Sequence, residues 1–320
     1  MTDRCNMRCR YCMPREIFGP GFVFVPRDEL LHFEEITRIV AAFARAGVTK
    51  VRLTGGEPLL RAGLPDLIAM VAAVDGIDDI ALTTNGSLLT RHATRLRDAG
   101  LSRITVSLDT LDPETFARVA DTEVTLDAVL DGIAAASATG FAPLKLNSVI
   151  RRGYNDADIE RLAAFAREHG HTLRFIEYMD VGDTNGWRLD EVVPAAEIVE
   201  RVGARWPVEP VQAQYRGEVA NRYRYVDGGG EIGVISSITK PFCGDCTRAR
   251  ISAVGEVYTC LFASQGNDLR ALIRGGADDE ALDAAVRALW TARADRYSEL
   301  RASHTSAQQP HKVEMSYIGG

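Results

Sequence analysis

Between residues 28 and 180 short strand patterns alternate with longer helical ones, and this alternation leaves few folds open, because it is the signature of βα units and a parallel sheet. Asp28 is placed to cap the first helix, whose apolar stripe is Leu30, Leu31, Ile36, Ile39, Val40 and Phe43 and whose stop is Gly47. Strands are expected over 50–54, 79–85, 103–109, 144–150 and 172–179, with the intervening helices ending at Gly100, Gly140 and Gly170. Parallel strands buried on both faces read as continuous apolar runs, but these alternate. Ile104, Val106 and Leu108 oppose Thr105, Ser107 and Asp109, and Val51 and Leu53 oppose Lys50, Arg52 and Thr54. An α/β fold with helices on one face and polar groups on the other is either a partial barrel with a ligand in its lumen or an open sheet with one solvated face.

After Gly182 the pattern is broken by Pro194, Pro207, Pro210 and Gly228-Gly229-Gly230. The expected division is therefore 1–182 for the partial barrel and 183–320 for a smaller α+β domain. The latter should contain an amphipathic helix over 278–297, a flexible connection over 303–310 and a tail over 311–320. No apolar run approaches the ~18 residues needed to span a bilayer, and Met1-Thr2-Asp3-Arg4-Cys5 lacks the apolar core of a signal peptide, so a cytoplasmic location is expected. A net charge of −7 argues against nucleic acid or an anionic membrane as partner. Any anionic ligand must be held by a local group of Lys and Arg.

Six cysteines fall into two groups of three: Cys5, Cys9 and Cys12 at C-x3-C-x2-C, and Cys243, Cys246 and Cys260 at C-x2-C-x13-C. In a reducing compartment they read as metal ligands or catalytic thiols rather than disulfides. Three thiolates neither complete a tetrahedral zinc site nor ligate all four irons of a [4Fe–4S] cube. Each group would leave one position open, as a cluster that binds a cofactor or substrate requires. The alternative is zinc with a fourth ligand from elsewhere, although His32, His92, His169, His171, His304 and His311 all lie outside zinc-finger spacing from a cysteine.

The run Cys5-Asn6-Met7-Arg8-Cys9-Arg10-Tyr11-Cys12 resembles the radical S-adenosylmethionine (SAM) enzymes, as does Thr54-Gly55-Gly56-Glu57-Pro58 at the end of the first strand. The resemblance implies a partial TIM-type radical SAM barrel. Its first [4Fe–4S] cluster would chelate S-adenosyl-L-methionine through the open iron and cleave it reductively to a 5′-deoxyadenosyl radical. Four further segments narrow the resemblance to the GTP 3′,8-cyclases of molybdenum-cofactor biosynthesis, the MoaA family. They are 54–61, 174–187, Cys243-Gly-Asp-Cys246-Thr-Arg248-Ala249-Arg250 with Cys260, and the terminal 315–320. Two-cluster radical enzymes that modify peptides are the rival within this class, but they typically carry more cysteines in the C-terminal region. The cyclase resemblance implies GTP as substrate, a second [4Fe–4S] cluster whose open iron binds guanine, an external electron donor, and a functional link to the next enzyme of the molybdopterin pathway. Monomer and homodimer both stay open.

Carried over by position, Tyr11, Gly56, Ser107 and Met179 match cofactor contacts. Arg52, Thr83, Lys145, Arg248, Ala249 and Arg250 match GTP contacts, with Lys50 and Arg174 as further candidates, and Gly319 and Gly320 match a tail that enters the active site. Lys50 and Arg52 lie two apart on one strand, hence on its polar face. Cations there need either an anionic ligand or internal carboxylates. The family places a strand and a GTP-contacting arginine directly before the first cysteine motif, whereas this chain begins at Met1-Thr2-Asp3, so a barrel lacking that strand is expected.

Overall fold

The structure, a computed structural model, describes residues 1–301 and 311–319. The connection expected over 303–310 and Gly320 lie outside the described residues. Each of the five expected strands forms: β1 (Lys50–Leu53), β2 (Asp79–Thr84), β3 (Arg103–Ser107), β4 (Lys145–Ile150) and β5 (Thr172–Glu177). All five stay in sequence order and parallel. Four end short of the expected carboxyl boundary, and the residues left over, Thr54, Asn85, Asp109 and Met179 among them, form the rim that carries the chemistry. The sheet continues across residue 182. Beyond β6 (Val208–Val211) and β7 (Asn221–Tyr225), β8 (Glu231–Ile235) pairs parallel with β5, and β7 and β6 extend the edge antiparallel. Among the described residues the sheet does not close, as expected of a partial barrel.

The outer face is covered by α1 (Phe33–Arg45), α2 (Leu64–Ala72), α3 (Leu89–Asp98), α4 (Pro113–Ala120), α5 (Leu126–Ala136), α6 (Ile159–Glu168) and α7 (Ala195–Arg205). Leu53, Leu82, Val106, Leu146 and Phe175 from the strands share one core with Leu67, Leu96, Val129, Ile133 and Leu162 from these helices. Gly47, Gly100, Gly140 and Gly170 all adopt positive φ at the helix ends. One detail differs from expectation. Asp28 does not cap α1: the His32 N–H donates to Glu35 Oε2 at 2.7 Å, while Leu31 N–H is drawn to Ala253 O at 2.9 Å, so the helix starts at Phe33. Thr105 lies on the lumen face as expected, in register with Thr83 and Lys145, and is buried there, its hydroxyl accepting from Arg52 Nη1 at 3.2 Å.

The remaining elements are β9 (Arg250–Ile251), β10 (Glu256–Tyr258) and β11 (Asn267–Asp268), which form a separate small sheet, and helices α8 (Leu269–Arg274), α9 (Asp279–Thr291), α10 (Tyr297–Leu300) and α11 (Met315–Ile318). The helix expected over 278–297 ends at Thr291; beyond it Arg293 leaves the helical path to donate to the Cys246 carbonyl. These elements fold back onto α1. Leu31, Ile39 and Ala42 join Val257, Leu269, Leu282 and Val286 in a second core, framed by Arg38–Asp279 and Arg45–Asp283 at 2.7 Å. Leu282 is fully buried there. Leu282→Ala is expected to cost about 2–5 kcal/mol, the usual range for deleting a buried leucine side chain, and urea denaturation of the anaerobic protein measures it. A loss under 1 kcal/mol would mean that α9 is only loosely docked.

Candidate active site

The first cysteine loop is fastened to the carboxyl rim of the sheet. Gly56 N–H donates to Thr2 O and Glu57 N–H to Arg4 O, both at 2.8 Å. A Cβ on Gly56 would lie 2.2 Å from Arg4 O, and one on Gly55 would lie 2.4 Å from Thr2 O, so only glycine permits this approach. Glu57 is buried and turned away from the lumen. Its carboxylate accepts from Leu59 N at 3.0 Å, Thr84 Oγ1 at 2.7 Å and Asn85 N at 2.8 Å, stitching the end of β1 to the end of β2. Farther along the loop, Arg8 N–H and Arg10 N–H donate to Ala120 O and Val119 O at the end of α4, and Asn85 Nδ2 donates to Asn6 Oδ1 at 2.8 Å. Tyr11 donates its hydroxyl to Asp109 Oδ2 at 2.8 Å, while Asp109 Oδ1 accepts from Val149 N at 2.8 Å. Burial pushes the Asp109 carboxyl up to about 6, with both hydrogen bonds opposing.

All six cysteines are free thiols. Burial raises Cys5 to about 11 and lifts Cys9 and Cys12 further above the ordinary thiol value, Cys9 also through Cys5, Asp109 and Cys12, and Cys12 also through Cys5. These thiols are therefore close enough to oppose one another's ionisation. Only a strongly cationic partner would hold them as thiolates, and iron of a cluster supplies that charge. Among the described residues no three His, Cys, Asp or Glu side chains converge on a point where one metal ion would sit.

The second triad is built differently. Cys243 and Cys246 flank a single 3₁₀ turn, Cys246 N–H donating to Cys243 O at 3.2 Å, and Cys260 follows β10, its sulfur accepting from Phe262 N at 3.4 Å. Burial lifts the Cys246 thiol, but the charge and Nε–H of Arg248, 3.4 Å from the sulfur, together with Arg293 outweigh it and bring the thiol down to about 7. Tyr258 pairs with Arg250 across the β9–β10 ladder, which sets Arg250 near Cys246 and Cys260, whose charges act on it. Burial, followed by Arg248, lowers the Arg250 guanidinium to about 10. Arg250 Nε donates to Gly319 O at 3.2 Å, and a Cβ on Gly319 would meet Thr54 Cγ2 at 2.7 Å. The tail thus lies between the glycine segment after β1 and the second triad, and residues 313–318 dock on the protein, with Ser316, Ile318 and Gly319 buried.

The lumen side of the sheet carries Lys50, Arg52, Arg103, Lys145 and Arg174, which all act electrostatically on one another. Asp79 pairs with Arg103 and lies 3.7 Å from Lys50, so the internal-carboxylate alternative holds for Lys50. Arg52 reaches only hydroxyls, Thr83 Oγ1 at 2.8 Å and Thr105. Burial, then Arg174, Arg103, Lys50 and Arg52, depress Lys145 to about 7, and burial with Arg174 brings Arg52 to about 10. Asn147 Oδ1, two residues beyond Lys145 and hence on the same strand face, is buried without a partner. Ser107 ends β3 opposite Asn147, and Met179, just past β5, accepts from Asn185 Nδ2 at 2.9 Å. Ala249 bridges Arg248 and Arg250 in the chain. The sequence pattern singled out neither Asp109 as a hydrogen-bond partner nor Asn147 and Arg103. Asp109 and Arg103 stood on the expected third strand, while Asn147, an amide in the fourth, carried no charge to mark it.

An open, mostly parallel sheet with a three-thiol loop on its carboxyl rim is the architecture of the radical SAM class. Residues 1–166 match the Radical SAM superfamily and residues 171–299 match Molybdenum Cofactor Synthesis C. The chain is 64% identical to a GTP 3′,8-cyclase of Acidothermus cellulolyticus, covering 100% of this chain and 95% of that one. It is 51% identical to one of Xanthomonas campestris pv. campestris (100% and 93%) and 46% identical to one of Staphylococcus haemolyticus (100% and 94%). The fold is shared with Streptococcus suis SuiB solved with S-adenosylmethionine bound, at TM-score 0.63 and 13% identity over 98% of this chain and 75% of that one. The chain belongs to the GTP 3′,8-cyclase family of the radical SAM superfamily.

A lysine held near 7 becomes a sensor of anions. A bound polyphosphate favours the ammonium and raises its pKa, so binding above pH 7 takes up a proton and weakens as pH rises. In the ligand-free protein the sign is set by the depressed folded value: the unfolded lysine titrates near ~10.4, so the penalty of the buried ammonium is complete below pH 7 and is relieved as pH rises toward that value. Calorimetry with inorganic tripolyphosphate at pH 8, in buffers of different ionisation heat, should show net proton uptake that Lys145→Met removes. Equal uptake in both proteins would detach Lys145 from the anion.

Proposed function

We propose that this chain converts GTP to (8S)-3′,8-cyclo-7,8-dihydroguanosine 5′-triphosphate, the first step of molybdenum-cofactor biosynthesis. The observation that carries it is continuity: Thr54 follows directly on β1, the strand that carries Arg52, Thr54 touches Gly319, and Gly319 accepts from Arg250 beside the second triad. Lumen cations, the tail and the second cysteine group therefore line one space. Cys5, Cys9 and Cys12 hold the first [4Fe–4S] cluster, and Cys243, Cys246 and Cys260 the second. When bound, the first cluster with S-adenosyl-L-methionine supplies the deoxyadenosyl radical that starts the cyclisation.

The chain's own residues supply position, charge and exclusion of water. Tyr11, Gly56, Ser107 and Met179 border the S-adenosylmethionine site. Arg52, Thr83, Lys145, Arg248, Ala249 and Arg250 meet GTP, Lys50 and Arg174 add positive charge, Gly319 closes the space at a point where a Cβ would clash, and Gly320, outside the described residues, is assigned to the same tail. Residues 1–182 form the radical SAM partial barrel, which also carries the lumen cations, and 183–320 carry the second cluster, the remaining GTP-binding residues and the tail, although one sheet runs through both. No helix among the described residues is long and apolar enough to cross a membrane, and six free thiols suit a reducing cytoplasm. An external one-electron donor serves the first cluster, the product passes to the next enzyme of the pathway, and monomer or homodimer would serve equally, since both triads belong to one chain.

Anaerobically reconstituted protein is expected to hold about eight irons per chain. Cys9→Ser should abolish S-adenosylmethionine cleavage, whereas Cys246→Ser should mainly impair GTP binding and cyclisation; full cyclase activity in both variants would sink the assignment. Arg248→Ala and Arg250→Ala should each weaken GTP binding by about 1.5–3 kcal/mol through loss of a charge-assisted hydrogen bond. Calorimetric titration with GTP checks this, unchanged affinity counting against it.

A further inference from the structure

One buried carboxylate, Asp180, gathers two separate segments, α10 with its cap and the start of the tail, just past the end of β5. Its oxygens accept from Tyr297 Oη at 2.7 Å, Arg301 Nε at 3.0 Å and Lys312 Nζ at 3.2 Å. Lys312 Nζ also donates to the Asp180 carbonyl at 2.6 Å. The Lys312 side chain is 5% exposed and that of Asp180 7%, so this lysine, twelve residues after α10 ends at Leu300, is buried at the point where the tail begins. Two residues on, the Glu314 carboxylate accepts from Asp183 N at 3.0 Å and Thr184 Oγ1 at 2.9 Å. Gly182, at φ +64°, makes room for it, since a Cβ there would lie 2.1 Å from Glu314 Oε2. Val313 N–H donates to Ala263 O at 2.9 Å, and Lys312 N–H to Asp183 Oδ2 at 3.0 Å.

These contacts converge on two tail residues, Lys312 and Glu314, and on one loop, residues 180–184, which directly follows Met179. Six residues, 313–318, separate Lys312 from Gly319, and α11 supplies a stiff arm over the last part of that distance. An arm fixed at one end by a buried charge network and ending in a glycine has its tip placed by the fixed end.

We propose that Asp180 and Lys312 are positioning residues that seat the tail: their buried pair, backed by Glu314 in the Gly182 recess, sets the Gly319 carbonyl against Arg250 and ties that seat to the Met179 loop. Neither residue meets substrate or cofactor. The proposal rests on the cyclase reading for its consequence in turnover, but the seating itself is a property of the fold. The charges also show why Lys312 is the better probe. Asp180→Asn would leave Arg301 and Lys312 as two buried cations facing no anion, a change that often prevents folding. Lys312→Met leaves Asp180 paired with Arg301 and bonded to Tyr297, one anion against one cation, so no buried charge is left without a partner.

The test compares wild type, Lys312→Met and Gly182→Ala as full-length, anaerobically reconstituted proteins with equal iron content. Gly182→Ala displaces Glu314 by steric contact and touches no charge of the network. Amide hydrogen exchange over 313–319 should be at least tenfold faster in both variants. The ratio of 5′-deoxyadenosine to cyclised product should rise several-fold, with KM for S-adenosylmethionine little changed. Wild-type exchange rates in Lys312→Met would overturn the seating. Faster exchange with a wild-type product ratio would show that seating does not position Gly319 for turnover, which also overturns the proposal while leaving the cyclase reading intact. If wild type itself formed no cyclised product, the cyclase reading would fall, and the exchange rates would still decide whether Lys312 holds the tail.

Discussion

The pairing of Gly56 and Glu57 with Thr2 and Arg4 decides where the first cysteine loop can sit. Main chains approach this closely only where side chains are absent, and Gly55 and Gly56 meet that condition. Once the strand end is held against Thr2–Arg4, the Glu57 carboxylate is carried beneath β2, where it accepts from Thr84 and Asn85. Asn85 in turn reaches Asn6 inside the cysteine loop. Loop, first strand and second strand are therefore mutually registered, and Tyr11 extends the registration to β3 and β4 through Asp109. The three thiols inherit their relative placement from this lattice of bonds, as a site that must hold a reactive group within a fraction of an ångström requires.

The lumen shows a second constraint of opposite kind. The chain carries a net charge of −7, yet its barrel interior concentrates lysine and arginine with Asp79 as the one acidic partner named in their ion pairs. Ion pairs on the outer helices, such as Arg38–Asp279, are partly exposed and contribute little individually. Burial and mutual repulsion depress the proton affinity of Lys50, Arg52, Lys145 and Arg174, Lys145 most of all. Local electrostatics at the site work against the stability of the ligand-free fold, a conflict expected where function rather than folding selects the residues.

Much of this was legible in the sequence. The five parallel strands, the glycine stops and the polar face of β1 followed from periodicity, which depends only on neighbours along the chain. The two triads were legible because thiol spacing is a chemical signature. What escaped was set by distant partners. The start of α1 moved to Phe33 because Leu31 is drawn to Ala253, more than two hundred residues away, and Asp28 had no means of announcing that. The helix after Asp278 ended early because Arg293 was needed at Cys246. The strands themselves ran short at the rim, where Thr54, Asn85 and Asp109 leave the ladder for side-chain partners that no pattern along a single strand encodes.

Helix α1 packs between two cores, Val40 toward the sheet and Ile39 with Ala42 toward residues 257–286. During synthesis on the ribosome the first of these faces finds its partners early, among strands and helices made soon afterwards. The second face has no partner until more than two hundred further residues have been translated, at ~5–20 residues per second. For roughly ten seconds or longer the nascent chain therefore displays Leu31, Ile39 and Ala42 as an uncovered apolar strip. Ordering of the C-terminal segment is thereby coupled to completion of the chain, so a ribosome that stalls late leaves a barrel already formed and a sticky helix on its outside.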